Sequence, residues 1–224
     1  MRLEDHPLWP SVAALSVPLV PELRLLLLDP TSTVWNATDP EALGWPYWAF
    51  AWPGGQALAR SLFDSPDLVA GKRVVSFGCG GGIEALAAAK VGAREVLGSD
   101  LDPLACEVAT RNAVLNGVSL RTTQADLIGH DLDADVLLLG DACYDDALAD
   151  RVVPWLRTLT GQGVTVLLGD PERVNLRSRL PLERLATVLA PHDGNPSGGT
   201  PWPVHVLRVC VDGAETRTVG ACPE

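Results

Sequence analysis

Residues 74–87 read VVSFGCGGGIEALA, and this stretch decides the fold. An apolar run, Lys72–Phe77, ends in four glycines within the five positions 78–82, and an alanine-rich segment of helical character follows. Strand, glycine turn and helix in this order open a βαβ unit, where ligands meet the carboxyl end of the strand. Glycines at such a turn let backbone N–H groups approach a ligand with no Cβ in the way. The spacing says which ligand. GxGxxG counted from Gly78 requires glycine at position 83, which is Ile83; counted from Gly80 it ends on Ala85, a tolerated variant that leaves Gly78 unexplained. GxGxG fits Gly78, Gly80 and Gly82, and favours an S-adenosylmethionine pocket over a pyrophosphate cradle; a glycine-rich turn with no ligand is the plain alternative.

Outward from this turn the pattern alternates. Towards the C-terminus come a helix over Gly81–Val91, a strand over Glu95–Ser99, a helix over Pro103–Leu115 stopped by Asn116-Gly117, and a strand over Val118–Thr123. A continuous apolar strand over Val136–Leu139, a helix over Asp145–Leu159 and a strand over Gly163–Leu168 follow. Short apolar strands separated by helices predict an α/β domain with a parallel sheet covered on both faces. Beyond about residue 180 prolines break the pattern, and Val204–Val211 reads as a final edge strand. Towards the N-terminus, residues 53–65 place Leu58, Leu62 and Phe63 on one helical face, with Pro66 at the end. Residues 1–52 read as an irregular arm with one short strand at 22–28. The expectation is one domain over 1–224, an arm at 1–52 and a core at 53–224, since 224 residues with 47% hydrophobic content suffice for one packed core.

Twenty-eight acidic residues against seventeen basic ones set the net charge at -11. Such a chain repels phosphate backbones, so no nucleic-acid partner is expected, while a lysine-bearing protein is electrostatically acceptable; the acidity serves solubility equally well. The five cysteines, at 79, 106, 143, 210 and 222, have no CxxC spacing, and reduced thiols in a cytoplasmic protein are the default. The four histidines, at 6, 130, 192 and 205, show no HExxH or paired spacing, so no metal is expected. MRLEDHPLWP does not read as a signal peptide, and LRLLLL at 23–28 is too short to span a bilayer, so no membrane association is expected.

Four acids follow the predicted strands. Asp100, in GSDLDP, stands about twenty residues beyond the glycine turn, where a carboxylate accepts both hydroxyls of a ribose. Asp102 directly precedes Pro103 and is the better cap for the next helix, which frees Asp100 for a ligand. Asp126, in TTQADL, either accepts from an adenine amino group or is a surface loop acid. Asp141 ends the fourth strand, and with Tyr144 it could face a transferred methyl group; Tyr144 could equally be an aromatic packed on the sheet. Trp45, Trp48, Trp52, Tyr47 and Phe50 form either core or a substrate groove, with core favoured for most. Cys79 and Cys143 flank the turn as small buried side chains.

The segments PYWAFAWPGGQALARSLFDSPDLVAGKRVV (46–75), the GxGxG turn, GSDLDPLA (98–105) and GDACYDDALADRVVPWL (140–156) resemble the seven-strand methyltransferases, in particular the lysine methyltransferases that modify the electron transfer flavoprotein beta subunit. The resemblance runs from about Pro21 to Asp170. It implies a Rossmann-like seven-stranded sheet, mostly parallel with an antiparallel last strand, and S-adenosylmethionine as cofactor. By position, Trp52 and the Pro53–Gly55 turn would line the pocket, Gly78, Gly80 and Gly82 would contact the methionine part, Asp100 the ribose and Asp126 the adenine end. Asp141 and Tyr144 would form the DxxY motif, which in that family positions the substrate lysine. Members of that family usually carry Asp or Glu where Ser76 stands, an acid that helps hold the cofactor's amino group, directly or through water. A serine there offers no charge, a loss of roughly 1.5–3 kcal/mol that Glu84 would make good if it lies within reach. The chemistry implied is N-methylation of a protein lysine; the rivals are a small-molecule N-methyltransferase for a nicotinamide-like amine, a non-catalytic protein on this fold and, more distantly, a dinucleotide oxidoreductase.

Overall fold

Local signals set the helix boundaries. Pro53 and Pro103 each open a helix where a missing N–H costs nothing. Asp102 caps the second of these, as expected, accepting from Leu104 N at 2.8 Å, and Gly117 ends it in the left-handed conformation. Asp145 accepts from Leu148 N at 2.8 Å and starts a further helix. The computed structural model describes residues 2–32, 46–171, 178–191 and 201–211. In chain order these form strands β1 (Val12–Val17) and β2 (Val20–Leu28), helix α1 (Pro53–Asp64), β3 (Arg73–Phe77), α2 (Ile83–Lys90), β4 (Glu95–Ser99), α3 (Pro103–Asn116), β5 (Arg121–Thr123), β6 (Val136–Gly140), α4 (Asp146–Gly161), β7 (Thr165–Asp170), β8 (Leu182–Pro191) and β9 (Pro201–Val209).

The main sheet has seven strands in the order β5-β4-β3-β6-β7-β9-β8. Strands β3 to β7 pair in parallel; β9 runs antiparallel between β7 and β8. The α/β architecture and its antiparallel last strand are as expected, but the expected edge strand is not at the edge. That place belongs to β8, in the region where prolines break the sequence pattern. The prolines sit where no ladder donor is needed: Pro201 and Pro203 pair with β8 across from Pro191 and Leu189, while β7 engages β9 only from His205 to Arg208.

Alternating strand residues feed two apolar layers. Val136 and Leu138 face α1, α2 and β2; Leu137 and Leu139 face α4, where Val152, Leu156 and Leu159 are buried. The N-terminal arm is more regular than its sequence suggested, with β1 and β2 forming an antiparallel hairpin. Two asparagines one helical turn apart on α3 dock it. Asn112 accepts from Leu26 N at 2.8 Å and donates to Gly81 O at 2.9 Å, and Asn116 accepts from Arg24 N at 3.0 Å. Asn112 is fully buried and ties β2 to the glycine turn. Asn112→Ala leaves an N–H and a carbonyl without these partners and is expected to lower stability by about 2–4 kcal/mol, read as a lower urea midpoint at unchanged slope.

Candidate functional site

The sheet order reverses between β3 and β6, with β4 and β5 on one side and β7 on the other. At the carboxyl ends of such strands the loops diverge and leave a crevice. A cavity of about 340 Å³ lies there, lined by Gly78 and Gly80 after β3, Asp100 and Asp102 after β4, Ala105 of α3, Gly140, Asp141, Ala142 and Tyr144 after β6, and Tyr47, Trp48 and Trp52 from the segment before α1.

The glycine turn and Asp100 are one unit. Gly78 and Gly80 have φ of 61° and 49°, and the turn aims the Gly80 N–H at Asp100 Oδ2, 2.9 Å away. Asp100 Oδ1 accepts from Asp102 N at 3.0 Å. Burial raises the Asp100 pKa above the ordinary carboxylate value, against these two backbone donors. Gly82 lies outside the cavity lining: it is the residue before α2, and a Cβ there would press on Ala109 of α3 at 3.2 Å. Ser76 is also outside the lining. It is fully buried in β3, and its hydroxyl donates to Glu84 Oε1 at 3.2 Å. Burial pushes the Glu84 carboxyl up to about 7, and the nearby Asp141 charge adds to that shift.

Asp141 is the one described non-glycine residue with positive φ, at 57°. Asp tolerates this region better than most residues, and strain of this kind concentrates at functional sites. Its carboxylate does work that the sequence did not announce. Trp52, the residue before α1, makes no side-chain cap; instead Asp141 Oδ2 accepts from Gly54 N at 2.5 Å and Gly55 N at 3.2 Å. The acid from β6 therefore caps α1, with a favourable helix dipole. The approach is possible because a Cβ on Gly54 would overlap the Gly169 carbonyl and stand 2.6 Å from Asp141 Oδ2, and one on Gly140 would stand 2.7 Å from Gly55 Cα.

Aromatic residues surround the mouth. Tyr47 and Tyr144 are about 60% exposed, and their rings lie near-parallel, 6.5 Å between centroids. Trp52 stands 5.9 Å from Tyr47, to whose carbonyl its indole N–H donates at 2.9 Å. Trp48 and Phe50 are buried core; Trp45 lies outside the described residues. Cys79 and Cys143 are buried, and burial raises the Cys79 thiol well above its ordinary value, as fits an inert side chain.

The structure thus brings Trp52, Gly78, Gly80, Asp100, Asp141 and Tyr144 to one cavity and leaves Ser76, Gly82 and Asp126 off its lining. Asp126 is an exposed loop acid: it accepts from Ile128 N at 3.1 Å and pairs with Arg151 of α4 at 2.5 Å, which lowers its pKa. The sequence reading did not anticipate that Gly54, Gly55, Gly140 and Gly169 form the seam between α1 and the strand ends. The signal was present in the paired glycines of WPGG and the repeated Gly-Asp at 140–141 and 169–170.

These residues fit S-adenosylmethionine. A glycine turn opens to the cavity with no atom within 4 Å of where a Gly78 Cβ would stand, a buried carboxylate terminates β4, and Ala105, Ala142 and Trp52 supply apolar wall. Residues 61–139 match the family model of ribosomal protein L11 methyltransferase, PrmA. The chain is 45% identical to the electron transfer flavoprotein beta subunit lysine methyltransferase of Xenopus laevis over 177 residues, covering 77% of this chain and 72% of that protein. It is 43% identical to the protein of the same name from Danio rerio, covering 75% and 68% respectively. Among solved structures, a candidate RNA methyltransferase of Pyrococcus horikoshii superposes with a TM-score of 0.54 at 16% identity, over 75% of this chain and 88% of that one, a likeness of fold alone.

Proposed function

This chain belongs to the electron transfer flavoprotein beta subunit lysine methyltransferase family, and from that premise we propose that it methylates a lysine of that subunit with S-adenosylmethionine as donor. The observation that carries the reading is the convergence of the glycine turn, Asp100, Asp141 and Tyr144 on one cavity. Gly78, Gly80 and Asp100 would hold the cofactor, the last through its ribose hydroxyls, and Trp52 would wall it. When bound, S-adenosylmethionine supplies a methyl group on a sulfonium, activated for in-line displacement.

The chain's part is to select, orient and desolvate the amine. A lysine ammonium, with a reference pKa of about 10.4, must lose a proton before it attacks. Asp141 Oδ2 caps α1, which fixes the carboxylate at the cavity wall, where it would accept from the incoming nitrogen and orient its lone pair. The proton leaves to solvent at the open mouth, before the amine docks. The rings of Tyr47 and Tyr144 flank the approach; their faces attract a cationic nitrogen and their bodies cover the alkyl chain.

A small heteroaromatic amine is the second reading, because flat exposed rings at 6.5 Å would stack on one. The deciding experiment offers purified electron transfer flavoprotein and nicotinamide to the enzyme with methyl-labelled S-adenosylmethionine. Label on a lysine of the beta subunit, located by peptide mass spectrometry, is the expected result. Label on nicotinamide with none on the protein replaces the first reading by the second.

A further inference from the structure

Glu84 is an expensive group to bury. It sits in the first turn of α2, 2% exposed, and among the described residues no hydrogen bond or ion pair joins it to a basic side chain. A carboxylate removed from water without a cation costs several kcal/mol unless it stays protonated or meets a positive partner. The titratable groups facing it are Asp141 from the end of β6 and Cys79 of the glycine turn, and neither supplies positive charge. The carboxylate is oriented, not loose: Oε1 is held by Ser76, and Oε2 stands 3.2 Å from where a Gly55 Cβ would be.

Glu84 also has a place for a partner. With Gly55, Gly78, Gly80, Gly140 and Trp52 it lines a side pocket of about 30 Å³. Four of those residues, Trp52, Gly78, Gly80 and Gly140, also line the main cavity, so the side pocket branches from it behind the glycine turn. Its size suits one water or one ammonium group. The three other acids at the cavity are already engaged, Asp100 by Gly80 N and Asp102 N, Asp102 by Leu104 N and Asp141 by the start of α1.

We infer that Glu84, held by Ser76, is the carboxylate that receives the positively charged amino group of the cofactor's methionine part, directly or through one water. This rests on the proposed use of S-adenosylmethionine. It also gives Ser76 a role: in place of a charge on β3, it orients one on α2. The carboxyl is raised to about 7 in the free protein, and a cation favours its ionised form. Binding therefore releases a proton below pH 7, and affinity rises with pH up to that point. With half of Glu84 ionised at pH 7 and about one part in eleven at pH 6, affinity should fall about fivefold between them.

The test is calorimetric titration of the purified protein at pH 6 and 7, in two buffers of different ionisation enthalpy. The ligands are S-adenosylmethionine and 5′-methylthioadenosine, which keeps the nucleoside and lacks the amino acid. The expected results are proton release and the fivefold pH effect with the first ligand only. Glu84→Gln should bind S-adenosylmethionine about 10–100-fold more weakly at pH 7, lose the pH effect, and bind 5′-methylthioadenosine as the wild type does. Equal weakening toward both ligands, or wild-type binding of S-adenosylmethionine without linked proton release, overturns the inference and leaves Glu84 a structural acid. The wild-type titrations decide the matter even if the variant does not fold. Failure of folded wild type to bind either ligand overturns the cofactor reading itself, and this inference with it.

Discussion

Asp141→Asn is expected to lower kcat for lysine methylation by about a hundredfold or more while leaving S-adenosylmethionine affinity within about threefold of wild type. A carboxylate has two acceptor oxygens, and here one already caps α1 through Gly54 N and Gly55 N. Asparagine has a single acceptor oxygen. If that oxygen takes over the cap, an amide NH₂ replaces the second acceptor, and the negative charge that would orient the amine is lost. Asparagine also tolerates φ near 57°, so the backbone is undisturbed. Asp141→Ala is the poorer probe, since it removes the cap, about 1–2 kcal/mol, and strains a residue with a Cβ in the left-handed region. Stopped-time methylation assays and calorimetric binding, run on the same preparation, check both halves. Normal turnover by Asp141→Asn would reduce Asp141 to a helix cap and sink its catalytic role.

Gly169→Ala should lose most of the stability of the fold. The added methyl would overlap the Gly54 carbonyl oxygen and stand 2.6 Å from Gly54 C and 2.9 Å from its Cα. These are backbone atoms at the start of α1, where no side chain can rotate away. Ordinary overpacking costs about 1–3 kcal/mol, and here α1 must shift from the ends of β6 and β7, so the loss should exceed that range. The shift also withdraws Gly54 N from Asp141, and cofactor affinity and turnover should fall with stability. Gly161→Ala is the control: nothing lies within 4 Å of its Cβ position, and at the end of α4 alanine should be neutral or gain up to about 1 kcal/mol. Urea unfolding of the two variants beside wild type decides it. A Gly169→Ala protein within about 1 kcal/mol of wild type would mean that α1 does not sit as close to the sheet as described.

Much of the fold was legible because its signals are local. Apolar runs of strand length, Pro at helix starts, Asp102 as a cap and Gly117 as a stop act within a few residues, and the structure bounds β4 as expected and α3 to within a residue. The strand β8 was not legible. Its proline-bracketed segment, Leu182–Pro191, looks broken until β9 is placed beside it and the prolines are seen at ladder ends. The candidate site divides the same way. Gly78, Gly80 and Asp100 announce themselves by spacing, since a glycine turn and an acid at the ends of adjacent parallel strands must face each other. Asp126 fits the same rule and lies off the cavity lining, because Arg151 on α4 draws it to the surface.

By itself, then, the sequence determined the βαβ alternation, the glycine turn at the end of β3 and the acid at the end of β4, through periodicity and spacing that need no distant partner. Tertiary structure alone decided what happens between segments far apart in the chain. Asp141 caps a helix whose first residues lie 87 positions earlier, Gly169 admits that same helix, and Asn112 fastens a strand 86 positions away. The sequence offers Glu84 as an acid that could replace the charge missing at Ser76, but does not place it. Only the packing of α1 and α2 on the sheet buries it, and that burial is what raises its carboxyl to about 7.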